Sequence, residues 1–341
     1  MRIGEQLKRY SRQVILSPIG EEGQRRLLES RIAVVGLGAL GSVTANNLVR
    51  AGVGEIILID RDFVDLVNLQ RQCLFDEEDA RNKLPKAIAL AQKLKKVNSG
   101  ISLKPIVEDL NSSNAHSLLS DSDLVLDGTD NLQTRFLINQ ICVEKKIPWI
   151  YTACLGSSGI LMNIYPEGPC LQCLIPFFPP PGSLETCETA GILNSVPTLI
   201  GAIQSAEAMK ILIGNSQVMR TVFTVDLWTG EFTKNEIKPR SQCPICQKRE
   251  FPVLENTPVT AFTTLCGRQA FQIIPERPMT LRLSELNQRL TKVGQTIYNQ
   301  YLLGFRIDDY DLTIFADGRA IIKGTQDENI ARSLYAKYIG H

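Results

Sequence analysis

The sequence predicts an α/β protein with a Rossmann-like, mostly parallel sheet and helices on both faces, followed by a small C-terminal α/β domain. Apolar runs at residues 31–35, 55–60 and 122–127 alternate with segments of helical periodicity, as parallel βαβ units do. A glycine-rich turn, VVGLGALG at residues 34–41, follows the first run. Because parallel sheets bind ligands at the carboxyl ends of their strands, we expect the site at this turn.

The other elements of the first domain follow in order along the chain. Residues 5–30 are polar with helical periodicity, and a further helix is predicted over 84–97. Residues 175–187 contain too much proline and glycine for a regular element and are predicted to form a long loop. Apolar runs predict strands at about 221–227 and 231–237.

Composition shifts near residues 247–260. We therefore expect one domain over residues 1–250 and a small α/β domain over residues 255–341. Apolar alternation on both sides of Asp317-Gly318 predicts a β-hairpin in the second domain. Its two predicted helices cover residues 280–292 and 327–338.

Bulk composition narrows the class of function. The chain has 341 residues and a formal net charge of +1, so no basic field favours nucleic acid. Its most hydrophobic helical run, residues 196–214, contains Gln204, Glu207 and Lys210, which would be costly in lipid, so we expect a core helix and no membrane span. Nine cysteines without a secretory signal fit the reducing cytoplasm.

The glycine-rich turn predicts a nucleotide-binding site. Gly36, Gly38 and Gly41 form a G-x-G-x-x-G pattern between a strand and a helix, where glycine lets the backbone approach a phosphate. Asp60 ends the second strand and can bind a ribose hydroxyl. On this motif alone, an NAD-dependent oxidoreductase is an alternative to an enzyme that uses ATP.

Charged residues further along the chain favour ATP. Arg71 and Lys86 are cations and Asp130 is a carboxylate suited to Mg²⁺, a combination typical of a site that breaks a phosphate bond. Any one of them alone is more simply a solvated surface charge. The chain has only two histidines, whereas hydride transfer commonly needs an acid or base. An attacking carboxylate is already ionised at neutral pH and needs neither.

Four cysteines form two C-x-x-C pairs, Cys170 with Cys173 and Cys243 with Cys246. Four thiolates match a closed tetrahedral zinc site of the structural type. A dithiol redox pair and an iron–sulfur cluster are the alternatives. Cys187 follows the long loop and precedes a predicted helix start, so it is either a nucleophile activated by a helix N-terminus or a structural thiol.

These segments, in this order, resemble the ThiF/MoeB-type adenylyltransferases, which are bacterial relatives of the ubiquitin-activating enzymes. The likeness covers about residues 5–250, and the whole chain looks most like the longer ThiF-like proteins of Gram-positive bacteria. The segments that carry it are RYSRQ (9–13), GLGALGS (36–42), AGVGEIILIDRDFVDLVNLQRQ (51–72), LPKA (84–87), DLVLDGTDN (123–131), TCETAG (186–191) and the two C-x-x-C pairs.

The resemblance implies an adenylation reaction. The C-terminal Gly-Gly carboxylate of a small ubiquitin-like sulfur-carrier protein attacks the α-phosphate of ATP, and the adenylate is later converted to a thiocarboxylate. We expect a ThiS-type carrier, for thiazole synthesis, with a MoaD-type carrier for molybdopterin synthesis as the alternative. The sequence contains no evident rhodanese-like segment, so we expect a separate sulfur donor such as a cysteine desulfurase.

The resemblance also implies roles for individual residues. The implied set is Asp60 for the ribose, Asn68, Arg71 and Lys86 for the phosphates, Asp130 for Mg²⁺, Arg12 from the other subunit of a homodimer for the triphosphate, and Cys187 for a covalent link to the carrier. The FFPPPGS stretch would cover the carrier tail. A scaffold without activity is a third alternative, which the joint presence of these cations and carboxylates argues against.

Overall fold

The structure, a computed structural model, describes residues 5–179, 185–186, 189–255, 262–265, 270–275, 279–325 and 327–340. The chain divides into two compact units. The first comprises Met1–Pro180 and Ala190–Thr257, and the second comprises Pro181–Thr189 and Pro258–His341. Each unit has a β-sheet and a hydrophobic core of its own.

Among the described residues, eight strands form the sheet of the first unit. They are β1 (Arg31–Val35), β2 (Glu55–Ile59), β3 (Ser102–Ile106), β4 (Leu124–Asp127), β5 (Trp149–Leu155), β6 (Ser158–Ile164), β7 (Val222–Asp226) and β8 (Glu231–Asn235). Their spatial order is β3-β2-β1-β4-β5-β6-β7-β8. Pairing is parallel from β3 to β5 and antiparallel from β5 to β8. The predicted fold class is therefore confirmed.

Helices cover both faces of this sheet. They are α1 (Ser11–Val14), α2 (Gly20–Glu29), α3 (Ala39–Ala51), α4 (Glu77–Arg81), α5 (Lys86–Val97), α6 (Ala115–Leu119), α7 (Leu132–Lys145), α8 (Leu171–Leu174), α9 (Ser195–Leu212) and α10 (Pro252–Glu255), with 3-10 turns at Glu5–Tyr10 and Leu66–Asn68. Ile32 and Val34 of β1 belong to the core that contains α3, α5 and α9 side chains. Ala33 and Val35 belong to the core on the α7 side. Because successive strand residues point to opposite faces, a strand covered on both sides is apolar throughout.

The structure of the first unit differs in detail from what the sequence predicted. Residues 5–30 are not one helix, because α1 ends at Val14 and α2 begins only at Gly20. Pro18 lies in the gap, and proline disfavours helix both at its own position and at the residue before it. The antiparallel hairpin of β5 and β6 was not predicted, and it turns at Gly156, which has a φ of +59°.

The long apolar helix α9 is a core helix, as predicted. Gln204 is fully buried and Glu207 is 2% exposed. Glu207 accepts hydrogen bonds from Asn163 Nδ2 at 2.7 Å and from the backbone N–H of Met219 at 2.7 Å. Among the described helices, none has both the length and the apolar character that a membrane span requires.

Within the described residues, the second unit contains an antiparallel sheet and two helices. Its strands are β9 (Phe262–Leu265), β10 (Ala270–Ile273), β11 (Gln295–Tyr298), β12 (Leu302–Ile307), β13 (Tyr310–Phe315) and β14 (Ala320–Lys323), and its helices are α11 (Leu283–Leu290) and α12 (Glu328–Tyr338). The strand order is β11-β12-β13-β14-β10-β9. The hairpin predicted at Asp317-Gly318 joins β13 to β14, and Gly318 has a φ of +83°.

Candidate functional site

The glycine turn joins β1 to α3 and lies against the end of β4. Gly36 has a φ of +82°, and its N–H donates to Ile59 O at 2.8 Å. A Cβ on Gly36 would lie 2.7 Å from the Gly128 backbone, and a Cβ on Gly41 would lie 1.9 Å from Gly36 O. Gly38 is the N-cap residue of α3. The turn needs glycine because its backbone lies too close to neighbouring backbone atoms to admit a Cβ. It also leads into a helix N-terminus, which is suited to binding an anion.

Asp60 is joined directly to this turn. Its Oδ2 accepts the backbone N–H of Leu37 at 2.7 Å, and its Oδ1 accepts that of Asp62 at 2.7 Å. Burial raises the pKa of Asp60, while the Lys86 ammonium acts in the opposite direction. The carboxylate that the sequence placed at the end of the second strand is therefore held rigidly beside the glycines.

Lys86 lies within the same polar group. Its side chain is almost fully buried, and its Nζ lies 3.2 Å from Oδ2 of Asp62. Lys86 is also the first residue of α5, where its backbone N–H donates to Asp62 O at 2.9 Å. Asp62 is absent from the predicted site, yet it orients the lysine that was predicted.

Two buried carboxamides follow β2. Asn68, at the end of the 3-10 turn, is 1% exposed, and neither its Nδ2 nor its Oδ1 has a hydrogen-bond partner among the described residues. The Oε1 of Gln72 is likewise unpaired within the described part of the chain. The Nε2 of Gln72 lies 3.6 Å from the position of a Cβ on Gly38. Unpaired buried polar atoms are rare in native proteins, so their concentration next to the glycine turn fits a polar ligand.

Asp130 is exposed in the turn between β4 and α7. Burial alone would lower the pKa of the Arg61 guanidinium, but the carboxylates of Asp109, Asp62 and Asp130 raise it. Asp130 therefore lies within electrostatic range of the residues that follow β2. Asp60 and Asp62 follow β2 and Asp130 follows β4, so these carboxylates come from the two strands on either side of β1, and carboxylate oxygens are ligands that Mg²⁺ prefers.

An ion pair that the sequence analysis missed supports this turn. Asp127 is fully buried, and its Oδ2 lies 3.0 Å from Nε of Arg135 on α7. Arg135 Nη2 donates to Thr129 O at 2.5 Å and to Thr152 O at 3.0 Å. Asp127 Oδ1 accepts the Thr129 N–H and hydroxyl at 2.8 and 2.7 Å. Burial raises the pKa of Asp127, and the attraction of Arg135 opposes that rise.

Two predicted residues stand apart from these contacts, and a third lies outside the described residues. Arg71 is partly exposed, and its Nη1 donates to Val67 O at 3.0 Å. Arg12 is exposed on α1. Among the described residues, no hydrogen bond or ion pair joins it to the glycine turn. Cys187 lies outside the described residues.

The four cysteines of the C-x-x-C pairs meet in one cluster. Their Sγ atoms all lie within 4.8 Å of one another, with 3.6 Å between Cys170 and Cys243 and 3.5 Å between Cys173 and Cys246. A tetrahedral site with Zn–S bonds of about 2.3 Å places its sulfurs about 3.8 Å apart. The backbone N–H of Arg240 donates to Cys173 Sγ at 3.4 Å. The sulfur positions therefore fit a single four-coordinate ion.

Known proteins resemble this chain in sequence and in fold. The sulfur carrier protein ThiS adenylyltransferase of Bacillus subtilis is 38% identical over 340 residues, covering 97% of this chain and 99% of that protein. The sulfur carrier protein adenylyltransferase of Thermus thermophilus is 35% identical over 249 residues, covering 71% of this chain and 91% of its own. The crystal structure of Escherichia coli MccB with MccA-N7isoASN has a TM-score of 0.62 at 21% identity, over 71% of this chain and 75% of that one, and indicates a shared fold.

The family match confirms the resemblance predicted from the sequence motifs. Residues 10–245 match the ThiF family. The matched region begins before β1, includes the glycine turn and Asp60, and ends at the second cysteine pair. The chain belongs to the ThiF family.

Proposed function

We propose that the protein uses ATP to adenylylate the C-terminal Gly-Gly carboxylate of a small ubiquitin-like sulfur carrier of the ThiS type, preparing it for thiocarboxylate formation. The observation that carries this proposal is the similarity to a ThiS adenylyltransferase along nearly the whole of both chains. The glycine turn with Asp60 and Lys86 adds independent support, because it joins an anion-binding helix N-terminus to a carboxylate and a buried cation.

The reaction needs no general base. A carboxylate oxygen of the carrier attacks the α-phosphorus of ATP and forms a new P–O bond. The bond from the α-phosphorus to the oxygen that bridges to the β-phosphorus breaks, and its electrons leave with pyrophosphate. An α-carboxyl group has a pKa of about 3.5, so the nucleophile is ionised at neutral pH. Catalysis then depends on orientation and on cations around the phosphates.

The residues of the first domain, 1–250, divide this work. Asp60 binds the ribose, with its orientation set by the backbone N–H of Leu37. Asn68 and Arg71 hold the phosphates, and the amide of Asn68, which has no partner among the described residues, supports that role. Lys86, whose Nζ lies 3.2 Å from Oδ2 of Asp62 in the structure, binds a phosphate oxygen when ATP is present.

Asp130 is the proposed ligand of Mg²⁺. Its carboxylate is exposed and follows β4, while Asp60 and Asp62 follow β2 on the other side of β1, and oxygen ligands suit a hard cation. When bound, Mg²⁺ neutralises charge that develops on the departing pyrophosphate. The Asp127–Arg135 pair fixes the backbone that leads to Asp130.

We assign Arg12 to the site of the other subunit in a homodimer. Two pairs of exposed apolar residues lie near site residues along the chain: Ile15 and Leu16 come just after Gln13 and Val14, which follow Arg12, and Leu66 and Val67 directly precede Asn68. Apolar groups of this kind are more stable when a second copy covers them. An isologous dimer would cover both pairs in each subunit and bring Arg12 across the interface.

The four-cysteine cluster holds Zn²⁺ as a structural ion in this proposal. The sulfur spacing fits zinc, and four thiolates leave no open coordination position for chemistry. The iron–sulfur and dithiol alternatives are less well supported, because the four sulfurs meet as a single compact set. We therefore assign the cluster to stability rather than to the reaction.

Later steps involve other groups. The thiolate of Cys187 attacks the acyl carbon of the carrier adenylate, the acyl–phosphate bond breaks, and AMP leaves as a thioester joins the carrier to the enzyme. A separate sulfur donor such as a cysteine desulfurase supplies the sulfur for the thiocarboxylate. Nine cysteines are consistent with action in the cytoplasm, where thiols stay reduced. Neither nucleic acid nor a membrane has a part in the proposed reaction.

Pyrophosphate exchange tests the function directly. The protein is incubated with ATP, Mg²⁺, radiolabelled pyrophosphate and a purified ThiS-type carrier that ends in Gly-Gly. We expect label to enter ATP only when the carrier is present. A carrier without its last two glycines is the matched control, because it should fold normally but lack the nucleophile.

Two further arms separate the alternatives. A MoaD-type carrier that supports faster exchange than the ThiS-type carrier would reassign the pathway while preserving the chemistry. NAD binding without carrier-dependent exchange would instead indicate the oxidoreductase and would refute the proposal.

A further inference from the structure

Gln72 is a buried side chain beside the glycine turn with an unpaired polar atom. It is 5% exposed, and its Oε1 has no hydrogen-bond partner among the residues that the structure describes. Its Nε2 lies 3.6 Å from the position of a Cβ on Gly38, the N-cap residue of α3. An unpaired buried acceptor destabilises a folded protein, so its presence at this position needs an explanation.

Gln72 and Asn68 lie on the same turn of the backbone. The backbone N–H of Gln72 donates to Asn68 O at 2.9 Å. On these two side chains, three buried polar atoms have no hydrogen-bond partner within the described part of the chain: Nδ2 and Oδ1 of Asn68 and Oε1 of Gln72. Since nearly all buried polar groups in native proteins are hydrogen-bonded, such a concentration at one place points to a ligand that supplies the partners.

We propose that Gln72 is a further nucleotide-binding residue, whose side-chain amide completes its hydrogen bonds only when ATP is bound. The inference rests on the proposed function and adds a residue that the sequence analysis did not name. An amide presents a donor and an acceptor on one planar group. ATP offers acceptors on its phosphates and donors on its ribose and adenine, and the N-terminus of α3 places the phosphates near Nε2.

A second buried glutamine of the first unit shows what a structural role requires. Gln24 is fully buried. Its Nε2 donates to Ala51 O at 2.9 Å, and its Oε1 accepts from Gln13 Nε2 at 2.6 Å. Both polar ends of Gln24 are therefore paired within the protein, in contrast to Gln72.

This contrast gives opposite expectations for the same substitution. Gln72→Met has similar length and no unpaired polar atom, so the ATP-free protein should melt at the same or a higher temperature than wild type. ATP should bind more weakly, by about 10-fold to 100-fold in Kd, because a hydrogen bond to a charged group is lost. Gln24→Met should lower the melting temperature and leave the Kd for ATP unchanged.

Calorimetry on the full chain measures both quantities. Wild type, Gln72→Met and Gln24→Met are melted without nucleotide, and each is titrated with ATP. A Gln72→Met protein that melts lower than wild type or fails to fold would make Gln72 structural and overturn the inference. Wild-type ATP affinity in Gln72→Met would overturn it while leaving the adenylyltransferase intact. Absence of ATP binding by wild type would remove both proposals.

A charge reversal tests the placement near the phosphates. Gln72→Glu preserves the size of the side chain but directs a carboxylate at the triphosphate. We expect a larger loss of affinity for ATP than for adenosine, which has no phosphate. Equal losses for the two ligands would contradict the contact with phosphate.

Discussion

Arg135 and Asp127 form an ion pair inside the first unit, with 3.0 Å between Nε and Oδ2. Arg135 is 7% exposed and Asp127 is fully buried. Both also contact Thr129, the residue before Asp130. Arg135 donates to the Thr129 carbonyl, and Asp127 accepts from the Thr129 N–H and hydroxyl. The pair therefore connects α7 to the end of β4 and determines the backbone path into the proposed Mg²⁺ ligand.

We expect Arg135→Met to destabilise the protein by about 3–5 kcal/mol, since it leaves the Asp127 carboxylate buried without its counter-ion. Urea unfolding measures the change. The matched control is Arg25→Met, which removes an exposed arginine 4.0 Å from Glu21 and should cost less than about 1 kcal/mol. Equal effects from the two substitutions would show that the buried pair is unimportant for stability.

Asp130→Asn should leave folding intact and reduce the rate of pyrophosphate exchange by about 10²-fold to 10³-fold. The side chain is exposed, so its loss removes little packing, whereas a carboxamide brings no negative charge to Mg²⁺. Exchange rates over a range of Mg²⁺ concentrations measure the effect. Activity close to wild type would exclude Asp130 as the metal ligand.

The Cys243→Ser variant should lose zinc and melt at a lower temperature than wild type. The substitution should have no direct effect on the adenylation step. Metal analysis of the purified protein is the measurement. Cys142→Ser is the control, because Cys142 is equally buried but lies outside the four-sulfur cluster and should retain full metal content. If Cys243→Ser also retains it, the two cysteine pairs do not share a site.

Arg12 and Asp130 should complement each other between subunits. Homodimers of Arg12→Ala and of Asp130→Asn should both be almost inactive. After reversible dissociation and mixing, about half of the dimers are mixed, and each has one intact site, so activity should return to about a quarter of wild type. No recovery, with subunit exchange verified independently, would place Arg12 in its own subunit or outside the site.

Cys187→Ala should still form the carrier adenylate but fail in sulfur transfer. Adenylation needs the carboxylate, ATP and metal, whereas a covalent link needs the thiolate. Intact-mass measurement should detect a thiol-sensitive adduct in wild type only. Normal thiocarboxylate production by the variant would make Cys187 a structural cysteine.

Periodicity predicted β1, β2 and β4, because the central residues of these strands are apolar and buried on both faces of the sheet. It did not predict β3, whose residues are only partly buried or exposed. The β5–β6 hairpin was missed for a different reason. Its strands are largely apolar without a strict alternation, and period alone does not distinguish such a run from a buried helix. Pro18 should have signalled the break between α1 and α2.

The sequence predicted those parts of the candidate site that a local motif defines. It did not predict those that depend on contacts between residues far apart along the chain. The glycine turn and Asp60 lie on neighbouring strands with a recognised spacing. Arg135 resembles a solvated helix charge in sequence, and only the apolar residues that follow it, Phe136 to Ile138, hinted at burial. Nothing in the sequence shows that Asp62 orients Lys86, because that contact depends on how α5 packs against β2.

The mutual packing of Gly36, Gly41 and Gly128 has an evolutionary consequence. A Cβ on Gly41 or on Gly128 would lie 1.9 or 2.4 Å from the Gly36 carbonyl oxygen. Each clash is with backbone, and no residue smaller than glycine exists to make room at the opposing position. Second-site suppressors of Gly41→Ala are therefore inaccessible at these neighbours. A genetic selection should recover true revertants at codon 41 and no compensating change at the other two glycines.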